Sequence, residues 1–245
     1  MPVVSDMTWQ RLAPPLAQPG DSNCAKNLRS LAAHAEIMGC SAIAIFPCLY
    51  DKPATAQDLV DYCAEVAKAA PTTPLLYYHI PFKTGVNLLM SEFLTLGADQ
   101  VPTLSGIKFT DGDVSGDGRK CLTIANGCMR IFNGFDQPLA EALSVGFEAA
   151  INVNFNFFPQ MASSIFHLAA EGKRDEAQKI QEKVNGLLEV IFKPTGGFSP
   201  SIVKAAMTML TGIDVGPARK PIKQLTQEQL QALRDGLTNS GLKLH

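Results

Sequence analysis

A lysine stands in the middle of a short apolar run, Ser105-Gly106-Ile107-Lys108-Phe109-Thr110-Asp111. Read as a strand, its period-2 alternation sends Ile107 and Phe109 to one face and Gly106, Lys108 and Thr110 to the other. The apolar pair is expected to pack outward against helices, leaving the ammonium to face whatever the sheet encloses. Among apolar neighbours desolvation disfavours the charged form, and a neutral amine is a nucleophile that forms Schiff bases with carbonyls. A strand-end lysine that reaches its head group to water is the plainer reading of this run alone. A second run, Pro74-Leu75-Leu76-Tyr77-Tyr78-His79-Ile80-Pro81, puts Tyr78 near the end of another strand, 30 residues before the lysine. A phenol that relays a proton beside an amine that attacks a carbonyl is an arrangement suited to aldol chemistry.

The elements that must position this pair alternate along the chain. Asp21 or Ser22 can cap a helix running to about Met38, with Leu28, Leu31, Ala32 and Ala35 on one face and Gly39 past its end. Ser41–Pro47 is a continuously apolar strand, as expected when both faces are covered. A helix over 56–69, the tyrosine strand, a short helix from Ser91 and the lysine strand at 104–110 follow. Beyond these come a helix around 114–125, a strand at 129–133, a helix near 137–146 and a strand over Ala149–Phe155. Strands and helices alternating at this spacing predict a parallel sheet built of βα units. Tyr78, Lys108, Asp136 and Asn154 fall near the C-terminal ends of successive strands, where such sheets and barrels carry their sites. The last third reads as helical: 174–193 has Ala177, Ile180, Val184, Leu187, Leu188 and Ile191 at helical spacing, with further helices at 199–211 and 226–236. Residues 1–20, rich in proline, read as irregular, and 11–17 within them as a poor central strand. The expected division is therefore 1–20 irregular, 21–171 βα units and 172–245 C-terminal helices.

Composition narrows the classes. A chain of 245 residues with formal net charge -2 is not built for nucleic acid or an anionic membrane. Its 46% hydrophobic content is ordinary, and no apolar run approaches the ~20 residues of a membrane span. Six cysteines at 24, 40, 48, 63, 121 and 128 form no CxxC pair and no zinc-like cluster, so they read as reduced, mostly buried thiols of a cytoplasmic protein. No basic-then-apolar leader opens the chain, which argues against secretion.

Tyr77-Tyr78-His79-Ile80-Pro81, Thr84-Gly85-Val86, Gly106-Ile107-Lys108-Phe109-Thr110, Asn133-Gly134-Phe135-Asp136 and Gly212–Pro221 occur in that order. Together they resemble the N-acetylneuraminate lyase branch of the dihydrodipicolinate synthase superfamily over about residues 22–240. The resemblance implies an α/β fold of the (β/α)8 TIM-barrel family with a C-terminal helical extension. It also implies a pyruvate-dependent class I aldolase, a homotetramer, and neither metal nor organic cofactor. In that pattern Lys108 forms the imine with the C2 ketone of sialic acid and Tyr78 relays the proton, releasing pyruvate and N-acetylmannosamine. Thr110, Gly134 and Asp136 match positions that contact the sugar chain, as do the positions of Gln137 and Val153. Tyr50 matches an aromatic of the relay or of a subunit contact.

Departures from the pattern carry expectations of their own. The family's lysine lies on the sixth barrel strand, whereas here it lies on the third clear one. The first two strands are thus expected to be missing and the third replaced by the proline-rich opening. With them goes the Gly-x-x-Gly-Glu-Ser/Thr loop that holds the pyruvate carboxylate, whose charge-assisted hydrogen bonds are worth about 1.5–3 kcal/mol each. Val153 stands where a substrate-binding serine is usual, and Gln137 where a glutamate is usual. Both leave room for a related 2-oxo-acid or sugar-acid aldolase, and the missing loop for an inactive family member acting as an interaction module.

Other motifs have simpler accounts. Asp111-Gly112-Asp113-Val114-Ser115-Gly116-Asp117 begins like an EF-hand loop, but Leu122 stands at its twelfth position, and Asp113 reads as a helix cap. Thr195–Pro200 lacks the Walker lysine spacing and reads as a helix joint, with Gly196 ending one helix and Ser199 capping the next. His34 and His167 read as surface or interface histidines, and His79, turned away from Tyr78 by alternation, as a packing residue.

Overall fold

The computed structural model describes Leu12–Ala13 and residues 24–245. Expectations for the rest of 1–20, and for capping by Asp21 or Ser22, lie outside the described residues. In chain order the elements are β1 (Leu12–Ala13), α1 (Cys24–Ile37), β2 (Ala42–Ile45), α2 (Ala56–Ala67), β3 (Leu75–His79), α3 (Pro81–Thr84), α4 (Met90–Gln100), β4 (Leu104–Phe109), α5 (Arg119–Cys121), β5 (Arg130–Asn133), α6 (Leu139–Val145), β6 (Ala149–Ala150), α7 (Pro159–Ala170), α8 (Arg174–Phe192), α9 (Pro200–Thr211) and α10 (Gln227–Asn239). They fall into two compact units. One takes the chain up to Phe135 with Val145–Ile151, and the other takes Asp136–Ser144 with Asn152–His245.

The first unit holds a single six-stranded sheet, every pair parallel, in the order β1-β2-β3-β4-β5-β6. A sheet that never reverses its strand order has no switch point, which is the winding of a (β/α)8 barrel rather than of an open doubly wound sheet. Six strands of eight make it an incomplete barrel among the described residues. Leu12 and Ala13 pair with Ala42 and Ile43, so the lysine strand is the fourth of the sheet rather than the third. That two-residue strand stands at one end of the strand order.

One face of the sheet packs against helices. Ile43, Ile45, Leu75, Tyr77, Ile107 and Phe109 are each 1% exposed or less, and burying a side chain of this size contributes about 1.5–3 kcal/mol. The other face carries the cluster Ala42, Leu76 and Phe132, flanked by Ala44, Ala149 and Ile151. In α1, Leu28, Ala32 and Ala35 form the buried stripe, while Leu31 is half-buried.

Two elements depart from expectation, and so do the cysteines. The helix foreseen over 114–125 is instead a π-turn at Val114–Gly118, the single turn α5 and a 3-10 turn at Ile124–Gly127. Asp113 caps the π-turn by accepting from the amides of Gly116 (3.1 Å) and Asp117 (2.9 Å). Asp117 is then drawn away to α4, where it accepts from the amides of Met90 (2.6 Å) and Ser91 (3.3 Å), the cap that Leu89 cannot supply. The strand foreseen over 149–155 stops at Ala150 and turns into a 3-10 segment, Val153–Asn156, because the Asn154 amide is taken by the Asp136 carboxylate and not by a ladder carbonyl. Cys63 and Cys121 are buried, whereas Cys40 and Cys48 are half-buried and Cys128 is exposed.

In the second unit, Ala177, Val184, Leu187, Leu188 and Ile191 form the buried stripe of α8, with Gln181 in it where Ile180 was expected. Gly196 ends the turn after α8, and Ser199 caps α9 through its hydroxyl, which accepts from the Ser201 amide at 3.3 Å. No helix among the described residues is long and apolar enough to cross a membrane.

Candidate functional site

Lys108 owes its direction to an irregularity. Leu75 pairs with Leu104 but Leu76 pairs with Gly106, so Ser105 is one residue more than its partner strand supplies. Such a bulge shifts the alternation by one. Leu104 therefore keeps Leu75's face and reaches Gly97 of α4, while Gly106 and Lys108 turn to the opposite face. Gly106 is required here, because a Cβ on it would sit 1.9 Å from the Arg130 carbonyl oxygen.

Tyr78 and Lys108 occupy paired positions on β3 and β4. The Lys108 Nζ donates to the Tyr78 Oη at 2.9 Å and lies 4.1 Å from the ring centroid. Phe46, just past β2, stacks on the tyrosine ring at 4.6 Å between centroids and 23° between planes. Its carbonyl accepts from the Tyr62 hydroxyl at 3.0 Å, which ties the stacking residue to α2. Phe46 carries no chemical signature, so only the pairing of β2 with β3 reveals it.

Thr110 and Gly134 extend the ladder past the strand ends, the Thr110 amide donating to the His79 carbonyl (2.9 Å) and the Gly134 amide to the Phe109 carbonyl (2.8 Å). A Cβ at Gly134 would meet the Thr110 Oγ1 at 2.1 Å and the Lys108 Cε at 2.8 Å. The lysine stem, the threonine hydroxyl and the bare glycine Cα thus converge, and any side chain at 134 would evict the other two. The Thr110 hydroxyl is buried and has no hydrogen-bond partner among the described residues. An unmatched buried hydroxyl costs stability, which makes it available to a ligand atom.

His79 lies on the opposite side of β3, 3% exposed, its ring 5.2 Å from that of Phe109 and 6.5 Å from that of Tyr77. Burial pushes its pKa down to about 4, partly opposed by the carboxylates of Asp111 and Asp117. The ring is therefore a neutral packing group at neutral pH, as alternation foretold.

Asp136 and Gln137 belong to the second unit, between β5 and α6, and neither is on a strand. The Asp136 Oδ1 accepts from the Asn154 amide at 2.8 Å, and its carbonyl from the Gln181 Nε2 at 3.0 Å. Gln137 is exposed, and its carbonyl accepts from the Asn185 Nδ2 at 3.4 Å. Val153 opens the 3-10 turn and is half-buried. Asn154 is fully buried in that turn, and its carboxamide has no partner among the described residues. Tyr50, in the loop after β2, is 82% exposed. Gln181 and Asn185 escape a reading that follows apolar spacing alone; the available signal is a glutamine falling four residues after Ala177 and three before Val184, inside the apolar stripe.

Known proteins share this architecture. The N-acetylneuraminate lyase of Mus musculus is 32% identical over 203 residues, which are 83% of this chain and 63% of that protein. The chain thus spans less than two thirds of the length of that curated relative. Among solved structures, the N-acetylneuraminate lyase (sialic acid aldolase) of Aliivibrio salmonicida superposes with a TM-score of 0.79 at 30% identity, covering 89% of this chain and 70% of that one. The Proteus mirabilis N-acetylneuraminate lyase gives 0.80 at 28% identity, over 89% and 72% of the two chains. The model of the dihydrodipicolinate synthetase family matches residues 13–240, and the chain belongs to that family.

Proposed function

We propose that this chain is an N-acetylneuraminate lyase-like class I aldolase that uses Lys108 as its Schiff-base nucleophile. The observation that carries the reading is the 2.9 Å contact between the Lys108 amine and the Tyr78 hydroxyl. It fits the order of steps. The amine attacks the C2 ketone of the open-chain sugar acid, and water leaves as the protonated imine forms. That imine accepts the electron pair of the C3–C4 bond while the C4 hydroxyl proton passes toward the tyrosine, releasing N-acetylmannosamine and leaving an enamine. Protonation at C3 and attack by water on the imine then free pyruvate and restore the amine. The imine itself is the electron sink, so the chemistry requires no metal or organic cofactor. Thr110 and Gly134 would line the lysine, and Asp136 and Gln137 would meet the hydroxylated end of the sugar. Assembly as a homotetramer in the cytoplasm, with Tyr50 at the relay or a subunit contact, belongs to the same proposal.

Val153 and Gln137 favour a second substrate within the same chemistry. An apolar side chain and a neutral amide replace a hydroxyl and a carboxylate, so a related pyruvate-dependent aldolase of another sugar acid is the alternative. Incubation with pyruvate and borohydride tests the common step. A reduced pyruvyl group on Lys108, found by peptide mass spectrometry and lost in Lys108→Ala, is the expected result. Unmodified Lys108 would identify the chain as a non-catalytic family member. Turnover of N-acetylneuraminate against other keto-deoxy sugar acids then separates the two substrates.

A further inference from the structure

Helix α8 carries an amide side chain in its buried stripe, and that side chain is fully used. Gln181 is 1% exposed. Its Oε1 accepts from the Ala140 amide in the first turn of α6 (3.1 Å), while its Nε2 donates to the Asp136 carbonyl (3.0 Å) and the Asn185 Oδ1 (2.8 Å). One turn on, the Asn185 Nδ2 donates to the Gln137 carbonyl at 3.4 Å. Three backbone groups of residues 136–140, two carbonyls ahead of α6 and an amide of its first turn that has no intrahelical acceptor, are thus held by two side chains of one helix. On its other side the Asp136 carboxylate accepts from the Asn154 amide and fixes the turn that contains Val153.

We infer that Gln181, with Asn185 behind it, is a positioning residue for substrate. It holds the Asp136–Gln137 turn and, through the Asp136 carboxylate, the Val153–Asn156 turn as one template for the hydroxylated end of a sugar acid. This rests on the proposed aldolase reading, in which Asp136, Gln137 and Val153 meet that end. A buried amide is costly unless every polar atom is matched, and an apolar residue would fill the stripe more simply. What the glutamine adds is direction. It supplies an acceptor for α6 and a donor for Asp136 from a single rigid support.

Two variants separate this role from plain packing. Gln181→Glu keeps the acceptor for Ala140 and loses the donor to Asp136, whereas Gln181→Leu loses both. In each, hydrogen exchange at the Asn154 amide is expected to quicken by about tenfold or more, because its acceptor is no longer held. Exchange at the wild-type rate in both variants overturns the inference whatever the activity. In turnover of N-acetylneuraminate, KM is expected to rise roughly tenfold with kcat within about twofold, while pyruvate trapping at Lys108 stays at the wild-type level. A fall in kcat and in trapping with KM unchanged would signify general loosening and likewise overturn it. Wild-type protein that traps no pyruvate would instead refute the aldolase reading, a failure the exchange measurement tells apart.

Discussion

Replacing Tyr78 by phenylalanine would keep the ring stacked on Phe46 and remove only the hydroxyl to which Lys108 donates. A positioned proton carrier contributes roughly 10²–10⁴-fold to rate, so kcat for sugar-acid cleavage is expected to fall by about that factor. Pyruvate should still be trapped by borohydride, since the nucleophile is untouched; loss of trapping together with turnover would show that the phenol is needed to form the imine. His79, on the opposite face of β3 from this chemistry, makes a prediction about stability. Its pKa is lowered to about 4 by burial, against 6.5 for the free side chain. Between those values the unfolded chain binds the proton and the folded chain does not, so stability is intact above pH 6.5 and declines as pH falls toward 4. The whole shift corresponds to about 3 kcal/mol. His79→Phe should flatten the melting temperature over that window; an unchanged slope would assign the acid sensitivity to other groups.

At the scale of elements, local signals and distant partners divide the work. Thr55 caps α2 and Thr226 caps α10 through reciprocal capping boxes with Asp58 and Gln229, all within four residues. Helix α4 has no such local cap and depends on Asp117, which lies 27 residues beyond Met90 and is 6% exposed. Asp117→Ala should cost about 1–2 kcal/mol and lower the melting temperature by a few degrees, with circular dichroism showing the loss. Restoration by a serine at Leu89 would confirm that capping, rather than charge, is what Asp117 supplies. The bulge at Ser105 is the other element-scale device, because it lets Leu104 and Ile107 share one face while Lys108 takes the opposite one.

For the whole molecule, the sheet wound in strand order and the family match over residues 13–240 place the chain among barrel proteins. Its surface carries large apolar side chains, including Ile37 at 82% exposure, Phe82 at 61% and Ile213 at 56%. Association that covers such groups is favourable, and the proposed homotetramer is expected to sediment as one species of four chains. A monomer at micromolar concentration would remove assembly from the proposal.

What the residue order settled by itself was everything that depends on near neighbours. Apolar runs of strand length, helices at their own period and the flanking of Lys108 by Ile107 and Phe109 are local patterns. They placed β3, β4, β5 and most helices to within a few residues. The tertiary structure alone decided which side chains meet. The Ser105 bulge, the stacking of Phe46 on Tyr78, the close approach of Gly134 to Thr110 and Lys108, the early end of β6 and the capture of Asp136 by Gln181 all join segments far apart in the chain. Register and close approach arise from packing against distant segments, and no periodicity within one segment encodes them.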